Sequence, residues 1–352
     1  MSEPLVSIVM TAYNGEKYIG EAIEGVLGQT WSNLELLIIN DASTDNTLDV
    51  VNRYDDPRIR VVDNEINQGI SNSRNIGQRE SRGDFIAPHD QDDISFPDRL
   101  EKEIAVFLDD PSVVLVGGRV LDWRGNREVP WPEQPIPVND ALAWRLFSKS
   151  MFTHSLCCMR RQTLLDHQLS YRQVYHYAED YELYHRLSEV GRIVLLEDIL
   201  GKYRFHDTNM SLLKGEEMER NGRVFLLDCY NAYFEADEQI SPEEMERIWH
   251  LLIRNAPAEN AKDLKQVGDI LERHLAKFIE RRGVSGDHLE ELKDTASRVW
   301  WKVIKKTALF HGPSILAQHR QFPTLGACSP GFAEKSTATL QALIYSLFKK
   351  TS

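Results

Sequence analysis

Three carboxylates within four residues are the chemical centre of this sequence. Asp90, Asp92 and Asp93 follow directly after a short apolar segment, with Gln91 among them. Carboxylates this close repel one another unless a cation or hydrogen-bond donors compensate their charge. Hard oxygen ligands suit Mg²⁺ or Mn²⁺, which bind through one or two carboxylates together with substrate phosphates. The alternative is a solvated acidic turn in which Asp93 caps the next helix.

A second acidic pair lies at the predicted start of a helix. Glu179 and Asp180 precede Leu183 and Leu187, which share one helix face. Carboxylates are stabilised near a helix N-terminus by the helix dipole, so a purely structural role accounts for this pair. The sequence has no glycine-rich phosphate loop of the Walker type, which argues against P-loop chemistry.

The predicted elements bring the polar residues of the first hundred positions together. Apolar segments alternate with segments of helical spacing, which predicts a β-α-β-α-β-α-β order and a mostly parallel sheet covered by helices on both faces. The predicted strands are 5–10, 34–39, 58–62 and 85–88, and the predicted helices are 19–27, 48–51, 70–82 and 97–108. Ligands in such folds bind beyond the carboxyl ends of the strands, where the polar clusters 11–14, 40–45 and 89–93 converge.

The rest of the chain changes character along its length. Strands are predicted at 113–116 and 192–196, and a hairpin around 123–126. Strand signals end near Gly215, and Ser241-Pro242-Glu243-Glu244 is typical of a helix start, with Ser at the N-cap and Pro at the first helical position. Helical segments are predicted at 224–230, 241–252, 264–278 and 288–292.

Composition limits the classes of protein to which the chain can belong. Its 352 residues predict about two domains, and 42% hydrophobic with 27% charged residues exclude a wholly disordered chain. No apolar run approaches the ~20 residues that span a bilayer, and the first ten residues favour a strand over a signal peptide. The four cysteines form neither a disulfide framework nor a metal-ligand spacing, so a cytoplasmic location is expected.

The charge is unevenly distributed. The net charge of −13 argues against non-specific nucleic-acid binding, but residues 296–352 alone carry eight Lys and Arg against one acid. Trp300 and Trp301 lie among these lysines, and a basic helix with tryptophans can lie in a membrane interface. The alternative is that this tail packs on its own chain, or across a homodimer, with its lysines exposed.

Four sequence blocks resemble those of family 2 glycosyltransferases. They are V-S-I-V-M-T-A-Y-N-G-E-K-Y-I at 6–19, L-L-I-I-N-D-A-S-T-D-N-T at 36–47, N-Q-G-I-S-N-S-R-N-I-G at 67–77 and D-Q-D-D at 90–93. They occur in the family order and at family-like spacing. The resemblance implies an α/β fold of the GT-A (Rossmann-like) type and a nucleotide-diphosphate sugar as donor, and the helical segments after Gly215 predict a helical C-terminal appendage.

The resemblance also assigns residues to the donor nucleotide-sugar. The implied donor-binding residues are Thr11, Tyr13, Asp41, Arg74, Asp90 and Gln91. Asp41 corresponds to the acid that recognises the base, although Asn40 and Ala42 depart from the usual D-D-G-S and leave the identity of the base open. For Arg74, the alternative to a nucleotide contact is a surface salt bridge.

The metal and the general base follow from the same resemblance. Asp92 is expected to contact Mn²⁺ or Mg²⁺ directly, with Asp90 near the ribose or a water ligand. His206, in the Y-R-F-H segment at 203–206, either completes the metal site or is structural. Asp180 corresponds to the general base of the E-D motif. Family 2 members invert the anomeric configuration, which fits a single displacement.

These expectations define one function and its alternatives. A sugar would pass from a donor, with a UDP-sugar favoured, to a saccharide or lipid-linked acceptor in surface polysaccharide or glycoconjugate biosynthesis. The catalytic domain would cover 1–213, with a nucleotide-binding region at 1–100 and an acceptor region at 101–213. A helical region at 214–295 and a basic tail at 296–352 would follow, and the tail would contact the inner face of the membrane. A sugar nucleotidyltransferase and a catalytically silent scaffold are the alternatives.

Overall fold

The computed structural model describes residues 3–125, 127–130, 136–326, 338–339 and 341–342. These residues form two compact units. The N-terminal unit lies within 1–136 and 151–222, and the C-terminal unit within 137–150 and 223–352. The N-terminal unit therefore extends nine residues beyond the predicted catalytic domain, and a short segment that the sequence assigned to the acceptor region belongs to the C-terminal unit.

One mixed sheet forms the centre of the N-terminal unit. Its strands in the described residues are β1 Val6–Ala12, β2 Leu34–Asn40, β3 Ile59–Asp63, β4 Phe85–Asp90, β5 Ile94–Ser95, β6 Val113–Arg124, β7 Arg127–Pro130, β8 Cys157–Arg160 and β9 Arg192–Phe205. The order is β3-β2-β1-β4-β8-β6-β9-β5, with β7 paired to β6. Strands β1 to β4 pair in parallel, as predicted, while β8 runs antiparallel to both of its neighbours.

Helices cover this sheet, and its central strands are buried along their whole length. Every residue of β1 and β2 is buried, as is typical of a parallel strand between two helical layers. The helices of this unit are α1 Ile19–Leu27, α2 Thr47–Val51, α3 Ile70–Glu80, α4 Arg99–Asp109, α6 Arg161–Asp166, α7 Glu179–Val190 and α8 Met210–Leu213. On α1, the residues Ile19, Ile23 and Val26 form the buried face.

The regular secondary structure of the C-terminal unit, among the residues that the structure describes, is helical. Its helices are α5 Asn139–Arg145, α10 Pro242–Ile248, α11 Ala261–Arg282 and α12 Gly286–His311, while α9 Gly215–Asn231 begins in the N-terminal unit. The predicted helix start is confirmed, because the Ser241 side chain accepts from the backbone N–H of Glu244 in a capping box. No helix among the described residues is long and apolar enough to cross a membrane.

Helix α12 runs without interruption through residues 295 and 296, where the sequence analysis placed the start of the basic tail. The side chains of Trp300 and Trp301 are 0% and 6% exposed, so these rings face the interior of the C-terminal unit. This agrees with the interpretation in which the segment packs on its own chain. Most of the second apolar and basic segment, 340–350, lies outside the described residues.

Candidate active site

The polar clusters at the ends of β1, β2 and β4 meet at one edge of the sheet. The strand register pairs Ala12 with Asn40 and Thr11 with Asp90. Because these strands are parallel, the loops that follow them emerge side by side. Thr11 is buried in the sheet, whereas the Tyr13 side chain is 47% exposed at its edge. The ends of these strands thus form one edge of the sheet, and the exposed Tyr13 ring lies beside it.

The side chain of Gln91 connects two of these strand ends. The backbone N–H of Tyr13 donates to Gln91 Oε1 at 2.9 Å, and Gln91 Nε2 donates to the Tyr13 carbonyl at 3.0 Å. The amide thus forms the same pair of hydrogen bonds that a neighbouring strand would form. A Cβ atom on Gly15 would lie 2.1 Å from Gln91 Oε1, so a larger residue at position 15 would displace the Gln91 amide from these bonds. Gln91 positions Tyr13 in this structure, and its predicted contact with the donor stays a prediction.

Asp41 is buried at the end of β2 and is already bonded within the chain. Its Oδ1 accepts from Asn64 Nδ2 at 2.9 Å and from the backbone N–H of Gln68 at 2.8 Å, and its Oδ2 accepts from the backbone N–H of Gly69 at 2.9 Å. Gly69 has φ 81° and ψ 158° at the start of α3. Asp41 therefore fixes the segment that leads into α3, and its recognition of a base stays a prediction.

Arg74, on α3, joins the acidic turn to the acidic pair of α7. Its guanidinium donates to Glu179 Oε1 at 2.7 Å and to Asp90 Oδ1 at 3.4 Å. The Arg74 side chain is 11% exposed and that of Glu179 is 2% exposed. These contacts make Arg74 a largely buried bridge, rather than a salt bridge at the protein surface. They bring together two carboxyl groups that are 89 positions apart in the sequence.

Asp180 has the electrostatic setting of a weak base. Burial raises the pKa of its carboxyl group to about 6, the Arg74 charge opposes that change, and the Glu179 charge adds to it. The backbone N–H of Tyr181 donates to Asp180 Oδ1 at 2.7 Å. Burial also raises the pKa of Asp90, against the effect of Arg74 and together with the charges of Asp92 and Asp180. These carboxyl groups therefore share one electrostatic environment.

Asp92, in the acidic turn, forms a pair with His206. His206 Nε2 lies 2.8 Å from Asp92 Oδ2, and His206 Nδ1 lies 2.8 Å from the hydroxyl of Thr208. The imidazole ring stacks on Tyr18 with centroids 4.5 Å apart. Asn209 Nδ2 also approaches Asp92 Oδ2, at 3.5 Å. Both residues of the pair are held by neighbours on separate elements.

This pair partly fits the geometry of a divalent cation site. Two ligands about 2.1 Å from one octahedral ion lie about 3 Å apart, close to the separation of Asp92 Oδ2 and His206 Nε2. Among the described residues, no group of three or more His, Cys, Asp and Glu side chains is arranged to hold a metal ion. The protein thus offers two adjacent donor atoms, which suits an ion that takes its other ligands from phosphate and water.

Asp93 has a different role from the helix cap that the sequence suggested. It is fully buried, its carboxylate accepts from the hydroxyl of Ser155 and, at 2.9 Å, from the backbone N–H of Arg204. Asp98 is instead the N-cap residue of α4. Burial, with the charges of Asp92 and Asp90, holds the pKa of Asp93 well above its ordinary value. The helix-cap interpretation of Asp93 is therefore wrong, because its side chain points into the protein.

Two further residues belong to this site, and no role was assigned to either of them from the sequence. Arg204 donates from Nε to the Asp92 carbonyl at 2.8 Å. His89 Nδ1 lies 2.8 Å from the Asp90 carbonyl and Nε2 lies 2.9 Å from Ser95 Oγ. Burial lowers the pKa of His89 to about 3, so its ring is neutral and supports the backbone of the turn. Arg204 lies in the Y-R-F-H segment, which was the signal that could have identified it.

Comparison with known proteins identifies the family. The sequence model for glycosyl transferase family 2 matches residues 7–169. An uncharacterized glycosyltransferase of Haemophilus influenzae is 32% identical over 233 residues, which cover 62% of this chain and 71% of that protein. The chain belongs to glycosyltransferase family 2. The hyaluronan synthase of Pasteurella multocida is 30% identical to this glycosyltransferase, and the chondroitin synthase of Escherichia coli is 31% identical. The matches cover 76% and 62% of this chain, but only 27% and 31% of those two synthases.

Solved structures confirm the GT-A fold of this glycosyltransferase. The crystal structure of Staphylococcus aureus TarS 1–349 in complex with UDP-GlcNAc has a TM-score of 0.55 at 16% identity, over 99% of this chain and 92% of that one. The mannosyltransferase PcManGT of Pyrobaculum calidifontis, in complex with GDP-Man and Mn²⁺, has a TM-score of 0.53 at 15% identity, over 99% and 88%. At these identities the likeness concerns the fold alone.

Proposed function

We propose that this glycosyltransferase transfers a sugar from a nucleotide-diphosphate sugar to an acceptor hydroxyl, with inversion at the anomeric carbon. A UDP-sugar is the favoured donor, and a saccharide or lipid-linked acceptor is expected in the assembly of a surface polysaccharide or glycoconjugate. The named activities of the hyaluronan and chondroitin synthases support a polysaccharide product. The complexes of the structural neighbours with UDP-GlcNAc and GDP-Man support a nucleotide-sugar donor.

The observation that carries this proposal is the pair of acidic centres joined by Arg74. The Asp92–His206 pair lies at one end of the acidic turn, and Asp90 at the other end contacts Arg74, which contacts Glu179 beside Asp180. A displacement needs one group that stabilises the leaving diphosphate and another that takes a proton from the attacking hydroxyl. The two centres supply one group each.

Asp180 has the properties of the proton acceptor. With a pKa of about 6, its carboxylate is mostly ionised at neutral pH and binds a proton more tightly than an ordinary aspartate. A general base is most effective when its pKa lies close to the working pH. Asp180 would take the proton as the acceptor oxygen attacks the anomeric carbon from the face opposite the diphosphate. The Arg74–Glu179 pair keeps the start of α7 in place during this step.

Asp92 and His206 would hold a Mn²⁺ or Mg²⁺ ion. Such an ion supplies positive charge for the diphosphate that leaves the sugar. With a metal bound, His206 would need the tautomer in which Nδ1 donates to the Thr208 hydroxyl and Nε2 is available as a ligand. Asp90 already accepts a hydrogen bond from Arg74 through one carboxylate oxygen. It is therefore better placed to accept a hydrogen bond from a ribose hydroxyl than to act as a second carboxylate ligand.

A donor panel tests this function. The protein would be incubated with MnCl₂, an oligosaccharide acceptor and UDP- or GDP-sugars in turn, and release of nucleoside diphosphate and the anomeric configuration of the product would be measured. Transfer with inversion is expected for at least one donor. A product with retained configuration would contradict the single displacement. Release of pyrophosphate from a sugar 1-phosphate and a nucleoside triphosphate would instead support a nucleotidyltransferase.

A further inference from the structure

Arg204 contacts the acidic turn at two points and anchors it to two other elements. From its place in β9, its Nε donates to the Asp92 carbonyl at 2.8 Å, and its backbone N–H donates to Asp93 Oδ1 at 2.9 Å. Its terminal NH₂ group donates to Glu21 Oε2, on α1, at 2.6 Å. The turn that carries Asp92 is therefore tied to both β9 and α1 by one residue.

Aromatic rings fix the guanidinium group of Arg204. Its Cζ lies 3.9 Å from the centroid of the Trp123 ring and 5.0 Å from that of Tyr18. The side chain is 12% exposed, so these cation–π contacts are partly shielded from water and are stronger than at an open surface. Tyr18 also stacks on His206. One ring thus contacts both the residue that holds Asp92 and the residue that pairs with it.

We propose that Arg204 is a positioning residue that sets the place of the Asp92 carboxylate beside His206. This inference rests on the proposed function, in which Asp92 and His206 receive the metal and the donor diphosphate. The Nε bond fixes the Asp92 carbonyl, and therefore the direction in which the Asp92 side chain leaves the backbone. A lysine can keep the charge opposite Glu21, but it lacks a planar group that stacks on Trp123 while also donating to Asp92.

The test compares Arg204→Ala and Arg204→Lys with two controls. Glu21→Gln keeps the stack and the bond to Asp92. Arg124→Ala removes another arginine that stacks on an aromatic ring. Arg124 lies on β6 and its guanidinium stacks on the ring of Phe205. Binding of UDP at fixed MnCl₂ would be measured by calorimetry, and binding of Mn²⁺ in the presence of UDP by electron paramagnetic resonance. Thermal unfolding would be recorded for each variant.

Both Arg204 variants should bind UDP with Mn²⁺ about 10–100-fold more weakly, as is usual when a group that orients a metal ligand is lost. Both controls should stay within about 3-fold of the wild type. Rescue by Arg204→Lys, or a folded Arg204→Ala protein with unchanged binding, would overturn the proposal. If Arg204→Ala does not fold, Trp123→Leu replaces it, and unchanged binding in that variant would count against the proposal in the same way. Failure of the wild type to bind UDP with Mn²⁺ would instead count against the proposed function.

Discussion

Replacement of Asp180 by asparagine should slow the enzyme and stabilise its fold at the same time. The carboxyl pKa is raised from 3.8 to about 6 by burial in the folded protein. A shift of about two units corresponds to about 3 kcal/mol of free energy. Because the folded state binds this proton more tightly, the ionised form of Asp180 destabilises the fold, and it does so fully above about pH 6. The penalty disappears as the pH falls from about 6 to 3.8.

The Asp180→Asn protein removes this penalty. It should therefore be up to about 3 kcal/mol more stable than the wild type at pH 8 and close to the wild type at pH 4. Transfer activity should fall about 10²–10⁴-fold, because the proposed proton acceptor is lost, while the affinity for UDP with Mn²⁺ changes little. In the wild type, kcat/KM should decline as the pH falls through about 6, since only the carboxylate can accept the proton.

The assays are urea unfolding at pH 4 and pH 8, and kcat/KM measured across that range. Asp49→Asn is the matched control, because Asp49 is exposed on α2. Neither the stability nor the activity of the Asp49→Asn protein should change. The reasoning would be refuted if Asp180→Asn transferred sugar at the wild-type rate. If the Asp180→Asn protein were less stable than the wild type at pH 8, the claim that ionised Asp180 destabilises the fold would be refuted.

Three further substitutions probe other regions of the molecule. Asp92→Asn should abolish Mn²⁺-dependent UDP binding without unfolding the chain, and calorimetry showing unchanged affinity would remove the metal role. Gly69→Ala should destabilise the protein by about 1–3 kcal/mol in urea unfolding, because φ 81° and ψ 158° lie in a region reserved for glycine. Trp300→Ala should cost about 3–5 kcal/mol, since the ring is fully buried. Phe310→Ala, on the exposed side of the same helix, is its control, and an equal loss in both proteins would contradict the assigned burial.

The sequence predicts the parallel half of the sheet because β1 and β2 are mostly apolar strands of seven residues each. The other half is harder to predict. Strands β5 and β8 have two and four residues, too few to show a period. Strand β9 extends to Phe205, well past the predicted end at residue 196, because a register shift between Gly118 and Arg119 lets it pass Glu197 and Asp198 and pair again with β6.

In the site, the positions of the strands could be predicted from the sequence, but the contacts between side chains could not. The polar clusters meet because they follow parallel strands, and the alternation of apolar segments with segments of helical spacing predicts those strands. The pairing of Arg74 with Glu179 could not be predicted in this way, because no local pattern connects two residues 105 positions apart. The sequence likewise shows two tryptophans among lysines at 300 and 301, but only the packed structure shows that both face inward.

The hydrogen bonds between Gln91 and the backbone of Tyr13 restrict how this enzyme can be redesigned. Gln91 lies between Asp90 and Asp92, so position 91 is an obvious place to engineer a new donor preference. Here that side chain must both donate and accept. Glutamate has no donor, and asparagine is one methylene shorter. An exchange at position 91 would therefore release the exposed Tyr13 ring as well. Libraries aimed at donor choice should keep Gln91 and Gly15 and vary the residues around them.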